Sequence, residues 1–138
     1  KGKGVHGADA PFSKIPNGLP GVEHRPALIY SALVNTHLIG PSDMCRMLSE
    51  NPARLYGLYP RKGAIRTGAD ADLVLWERDY KWVLRASHQH MKADYTPWEG
   101  FEITGRPRQV LLRGKTVLKD GETFGPAGTY LKRNKPQL

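Results

Sequence analysis

The sequence predicts an α/β chain in which a loop and three helices precede about five short strands. Apolar residues recur at helical spacing between Val22 and Val34. After Gly63 they run consecutively or alternate, as in strands. The period changes within the Gly- and Pro-containing stretch 59–63, so we place a boundary between residues 62 and 63.

Residues 1–21 are predicted to form a loop that is stiff rather than floppy. Its second half, Ile15–Gly21, contains Pro16 and the turn dipeptide Asn17-Gly18. Proline fixes φ, and glycine lets another molecule approach the backbone closely. Such a loop can present peptide N–H and C=O groups to a ligand.

The first helix is predicted over 22–36, with Pro26 in its first turn, where proline is tolerated. Its apolar stripe consists of Val22, Ile29, Tyr30, Leu33 and Val34. A second helix is predicted to be capped by Ser42. Asn51-Pro52 is predicted to end it and to begin a third helix, which stops at Gly57.

The strands are predicted from short apolar or alternating runs bounded by turn residues. They are Ala71–Trp76, Trp82–Arg85, Phe101–Thr104, Gln109–Leu112 and Thr116–Leu118. Arg113-Gly114-Lys115 is predicted to join the last two as a hairpin. Asp120-Gly121 marks a further turn, and the tail from Gly125 is polar and basic.

Composition excludes several classes of protein. The 138 residues carry a net charge of +8, but the basic residues are scattered and match no nucleic-acid-binding pattern. No apolar run approaches the ~18 residues of a membrane span. The single Cys45 excludes an internal disulfide and favours a reducing, cytoplasmic setting. Because the chain begins at Lys1 rather than Met, we expect it to be a fragment of a longer protein.

Three short features suggest chemistry, and each has a simpler structural interpretation. His88-Gln89-His90 would place two imidazoles on one face of an extended chain, but no third ligand has suitable spacing. Glu23 stands at a helix start, where a structural salt bridge is expected. Cys45 is predicted to be a small core residue.

Several stretches together resemble the cyclic amidohydrolases, a family that includes dihydropyrimidinase, hydantoinase and allantoinase. The resemblance runs in order along nearly the whole chain, and Gly68–Val74 alone would indicate only the wider superfamily. The matching segments are Phe12–Glu23, Asn51–Gly63, Gly68–Val74, Asp94–Gly100 and the Arg113-Gly114-Lys115 hairpin.

The resemblance implies the C-terminal portion of a TIM-barrel enzyme followed by part of a β-sandwich domain. Residues 1–62 would be the last barrel loop and helices, and 63–120 the C-terminal half of the sandwich. The tail, 121–138, resembles an arm used in oligomer contacts, so a homotetramer is expected. A complete barrel needs about 250 residues, so the remainder of the barrel is an expected partner.

The family's chemistry is metal-dependent opening of a small cyclic amide, using two zinc ions bridged by a carboxylated lysine. The family's metal ligands all lie upstream of the matching region, and none maps onto this chain. One substrate-binding residue does map: Asn17, expected to hold the ring amide through its backbone. The stretch Val5–Pro11 looks like an insertion beside that loop, which leaves the preferred cyclic amide open.

Two alternatives stay open from the sequence. Allantoinase is a close relative, since His90–Tyr95 also suits that branch. A non-catalytic dihydropyrimidinase-like scaffold protein would keep the fold and lose the metals. Neither nucleic acid nor a membrane is expected as a partner.

Overall fold

The computed structural model describes Pro11, Ser13 and residues 18–125 and 128–137. Its elements are a few helical turns followed by a small antiparallel sheet. None of the helices in these ranges is long and apolar enough to cross a membrane. The division into 1–62, 63–120 and 121–138 stays a prediction.

Helix α1, Arg25–Ile29, continues directly into a π-helical turn, Tyr30–Val34. Pro26 lies in the first turn, as predicted. Of the predicted apolar stripe, Tyr30 and Val34 are buried, whereas Val22 is 76% exposed and Ala27, outside the stripe, is buried. A small residue at this position lets the helix approach the sheet closely, which a branched side chain would prevent.

The second and third predicted helices form one uninterrupted helical run. Helix α2, Pro41–Cys45, passes into the π-helical turn Arg46–Glu50 and then into helix α3, Asn51–Leu55. The predicted break at Asn51-Pro52 is therefore wrong. The wider π turn just before Pro52 accommodates a residue that lacks the N–H of a regular helical bond.

The ends of this run are also specified locally. Its N-cap is Gly40 rather than the predicted Ser42, and the Gly40 N–H donates to the Asp43 carboxylate at 2.9 Å. At the other end, Gly57 has φ +68°, which confirms its predicted role as the left-handed residue after the helix.

The sheet is an antiparallel meander in the order β1-β2-β3-β4. Its strands are β1 Leu73–Val83, β2 Glu102–Leu112, β3 Lys115–Lys119 and β4 Glu122–Thr123. The prediction of five short strands is wrong, because β1 and β2 each unite two of them. Register shifts between Leu75 and Trp76 and between Glu77 and Lys81 absorb the polar residues that interrupt the apolar pattern.

Both hairpins are closed by two-residue turns with positive φ at both positions. Arg113 and Gly114 have φ +48° and +77°, and Asp120 and Gly121 have +49° and +90°. These are the signs of a type I′ turn, whose twist matches that of the flanking strands. The predicted hairpin at Arg113-Gly114-Lys115 is confirmed.

The core lies where α1 crosses the sheet. Ala27, Leu84 and Ile103 are buried there, and the partly buried residues around them are Leu28, Trp76, Trp82 and Trp98. Gly105 of β2 has φ +87°, and a Cβ on it would lie 2.4 Å from the Tyr30 ring. Only glycine permits this approach of helix and strand.

Candidate functional site

The loop that ends at Gly21 leads into α1. The structure describes residues 18–21 of this loop, and Asn17 lies outside the described residues. Gly18 has φ +87°, a conformation that disfavours any side chain. Of the stretch Val5–Pro11, only Pro11 belongs to the described part.

Glu23, two residues after the loop, is bound by a segment that lies far along the chain. Its carboxylate accepts the backbone N–H of His90 at 2.8 Å and that of Met91 at 3.0 Å. The Nδ1 atom of the His90 ring lies 2.8 Å from the same carboxylate. These contacts tie the start of α1 to the connection between β1 and β2.

The same contacts set the protonation of both side chains. Partial burial tends to raise the pKa of Glu23, but the hydrogen bonds from His90 and Met91 outweigh this effect and lower the pKa overall. The hydrogen bond to Glu23 raises the pKa of His90, against partial desolvation. The His90 Nε2 atom lies 3.3 Å from the carbonyl of Gly121. Both ring nitrogens thus face acceptors, which the doubly protonated imidazolium satisfies best.

Two more contacts join the same parts of the chain. His24 is buried, and its Nδ1 lies 3.4 Å from Oγ1 of Thr96, which is also buried. Burial lowers the pKa of His24, although the Glu23 charge opposes the shift. The Trp98 ring lies against Gly21, where a Cβ would come within 2.7 Å of it.

Beside the loop, an apolar surface lines a shallow cavity of about 450 Å³. Leu19 and Val22, at its rim, are 69% and 76% exposed. The other residues around it are Gly21, Arg25, Leu28, Ile29 and Trp98. Apolar side chains exposed side by side are typical of a surface that packs against further protein.

The same stretch of chain matches known proteins. Residues 23–117 match the model of the amidohydrolase family. This chain belongs to the amidohydrolase family.

A D-hydantoinase of Streptomyces coelicolor is 45% identical over 117 residues, which cover 85% of this chain and 25% of that protein. The solved D-hydantoinase of Bacillus sp. AR9 has a TM-score of 0.86 and 39% identity, over 92% of this chain and 28% of its own. The solved dihydropyrimidinase of Brevibacillus agri has a TM-score of 0.78 and 35% identity, over 81% of this chain and 24% of its own. The amidohydrolase chain thus spans about a quarter of the length of these relatives.

The His88-Gln89-His90 motif finds no further candidate metal ligands around it in the part of the amidohydrolase chain that the structure describes. No group of three or more His, Cys, Asp or Glu side chains converges there. The ring of His90 is instead engaged by Glu23 and Gly121. His88 ends the short 3-10 helix Ala86–His88, so the extended chain predicted for the motif is wrong at this residue.

The expectation for Glu23 is confirmed, whereas that for Cys45 is wrong. Glu23 forms a structural ion pair with His90. Cys45 is exposed rather than in the core, because α2 contributes no buried residue. Sequence reasoning missed His90 and Met91 as the partners of Glu23. Nothing at short spacing indicates a contact across 67 residues of sequence.

Proposed function

We propose that this chain is the C-terminal part of a cyclic amide hydrolase that opens hydantoin or dihydropyrimidine rings. The observation that carries the proposal is the 45% identity to a D-hydantoinase over 85% of the chain. It is supported by the similarity to two solved structures of hydantoinase and dihydropyrimidinase type, with TM-scores of 0.86 and 0.78.

In this proposal, residues 1–62 supply the last loop and helices of a TIM barrel. Residues 63–120 supply half of a β-sandwich, and 121–138 an arm for contacts in a homotetramer. The exposed side chains of Leu19 and Val22 support the assignment of 1–62, since each would be covered by the remainder of the barrel. The complete protein would act in the cytoplasm.

The metal belongs outside this chain in the proposal. The His90 ring does not fit a metal site, because it already contacts Glu23 and the carbonyl of Gly121. By resemblance to the cyclic amidohydrolases, the ligands of two zinc ions would lie in upstream residues. The contribution of this chain is binding: the backbone at Asn17 would accept and donate hydrogen bonds to the ring amide.

Ring opening by the complete protein tests the proposal. Hydantoin and dihydrouracil would be supplied, with allantoin for comparison, and the open-chain carbamoyl product would be measured. We expect the complete, metal-loaded protein to open at least one ring and residues 1–138 alone to open neither. A folded, metal-loaded complete protein that opens no cyclic amide would contradict the proposal and favour the scaffold alternative. Preference for allantoin would place it with the allantoinases.

Zinc analysis gives a second test, with the chain itself as the sample. Residues 1–138 should hold no stoichiometric zinc after gel filtration. One tightly held zinc ion per chain, lost in a His88→Ala/His90→Ala double variant, would show that our assignment of the metal ligands is wrong.

A further inference from the structure

The contacts of Glu23 differ from those of an ordinary acidic residue at a helix start. A helix-capping role would direct the carboxylate to the first N–H groups of α1. Its hydrogen bonds go instead to His90 and Met91, which supply two backbone N–H groups and one ring nitrogen. A single carboxylate thereby fixes the backbone of a distant segment at two consecutive residues.

The residues on both sides of Glu23 contact the same distant segment, 88–98. Gly21 lies against the ring of Trp98, at a distance that leaves no space for a Cβ. His24 meets Thr96, and both are buried. The chain from Gly21 to His24 is therefore held at three successive points by one connection of the sheet.

We propose that Glu23 is a positioning residue that fixes the end of the loop Ile15–Gly21 against segment 88–98. This inference rests on the proposed function, in which the backbone at Asn17 holds the ring amide. Only four residues lie between Gly18 and Glu23, so a shift at Glu23 is transmitted along a short, turn-rich stretch. Displacement of a binding group by ~1 Å can cost on the order of a hundredfold in rate.

The effect should fall mainly on KM, because the loop binds substrate and the chemistry belongs to residues elsewhere. In the complete protein we expect Glu23→Ala to raise KM for hydantoin about tenfold or more, with a smaller change in kcat. The KM of Glu23→Gln should lie between those of wild type and Glu23→Ala. Its amide keeps one acceptor oxygen but turns an NH₂ group toward an N–H donor.

Glu50→Ala is the matched control. Glu50 is exposed to a similar extent, 33% against 28% for the side chain, and it also forms an ion pair, to Arg54 at 2.9 Å. That partner lies four residues along the same helical run. Losing a surface pair of this kind should leave KM unchanged.

The experiment measures kcat, KM and the melting temperature, together with hydrogen–deuterium exchange of residues 18–22. Raised KM and faster exchange in Glu23→Ala, but not in Glu50→Ala, support the proposal. If the wild type is active and both variants keep its KM, the proposal is overturned and the proposed function stands. An inactive wild type overturns both. If Glu23→Ala does not fold, Glu23→Gln decides: unchanged KM and exchange overturn the proposal.

Discussion

The two hairpins that β3 and β4 form in the sheet and the helical region of this chain are ordered by contacts of different range. In the sheet, β3 and β4 each pair with the preceding strand through a two-residue turn. In the helical region, the decisive contacts come from far along the sequence. Ser31 accepts the N–H of Thr104, and the ring of Tyr30 lies on Trp76 with centroids 5.0 Å apart. The helices therefore depend on the sheet more than the hairpins depend on the helices.

The largest expected effect comes from filling the space between these regions. Gly105→Ala would place a Cβ 2.4 Å from the Tyr30 ring at a φ of +87°. Strain at positive φ costs about 1–2 kcal/mol and overpacking about 1–3 kcal/mol. We expect a loss of about 2–5 kcal/mol in the free energy of unfolding, measured with urea and tryptophan fluorescence.

Gly68→Ala is the control for that variant. Gly68 has the same φ of +87°, but no atom lies within 4 Å of the position its Cβ would take. This variant should lose only the free energy that strain at positive φ costs, about 1–2 kcal/mol. Equal losses in the two variants would show that the contact between Tyr30 and Gly105 contributes little.

A smaller effect is expected from removing the tail that lies on the end of α3. The N–H of Asn134 donates to the carbonyl of Gly57 at 2.8 Å, and that of Gln137 to the carbonyl of Arg54 at 3.0 Å. At ~0.5–1.5 kcal/mol for each hydrogen bond, truncation after residue 127 should cost about 1–3 kcal/mol. Urea unfolding checks this value. Unchanged stability in the truncated protein would mean that these two hydrogen bonds do not stabilise the end of α3.

The smallest expected effect is the pH dependence of the Glu23–His90 pair. Because the pKa of His90 is raised, its contribution is complete below its ordinary pKa of 6.5 and is lost as the pH rises through the raised value. Because the pKa of Glu23 is lowered, its contribution is present above 4.5 and is lost as the pH falls through the lowered value.

Stability from this pair is therefore greatest between these limits. His90→Ala should cost ~0.5–1 kcal/mol near pH 5.5, because the pair is partly exposed and screened by solvent. The difference from wild type should shrink near pH 9. A difference that grows from pH 5.5 to pH 9 would contradict the assignment of a charged His90.

These contrasts also explain what could be predicted from the sequence. The turn at Arg113-Gly114 and the left-handed Gly57 follow from the residues at those positions, and both are confirmed. The π-helical turn before Pro52 leaves no comparable signal, since its residues are ordinary helix formers. The partners of Glu23 could not be predicted either, because the fold alone brings His90 and Met91 to it.

Strand lengths were mispredicted for a related reason. The polar residues between Glu77 and Lys81 interrupt the apolar pattern, while backbone pairing with β2 resumes on the far side of a register shift. Hydrogen bonding to a neighbouring strand thus continues where side-chain pattern gives no indication of it.

In the proposed function, this chain contributes the substrate loop of a cyclic amide hydrolase, and the loop binds through its backbone. The most direct measurement is kcat/KM on a hydantoin for Asn17→Ala and Gly18→Val in the complete protein, with folding checked. Gly18→Val should lose on the order of a hundredfold, because a β-branched residue is strained at φ +87° and displaces the loop. Asn17→Ala keeps the peptide groups and should lose little. A far larger loss in Asn17→Ala than in Gly18→Val would contradict the claim.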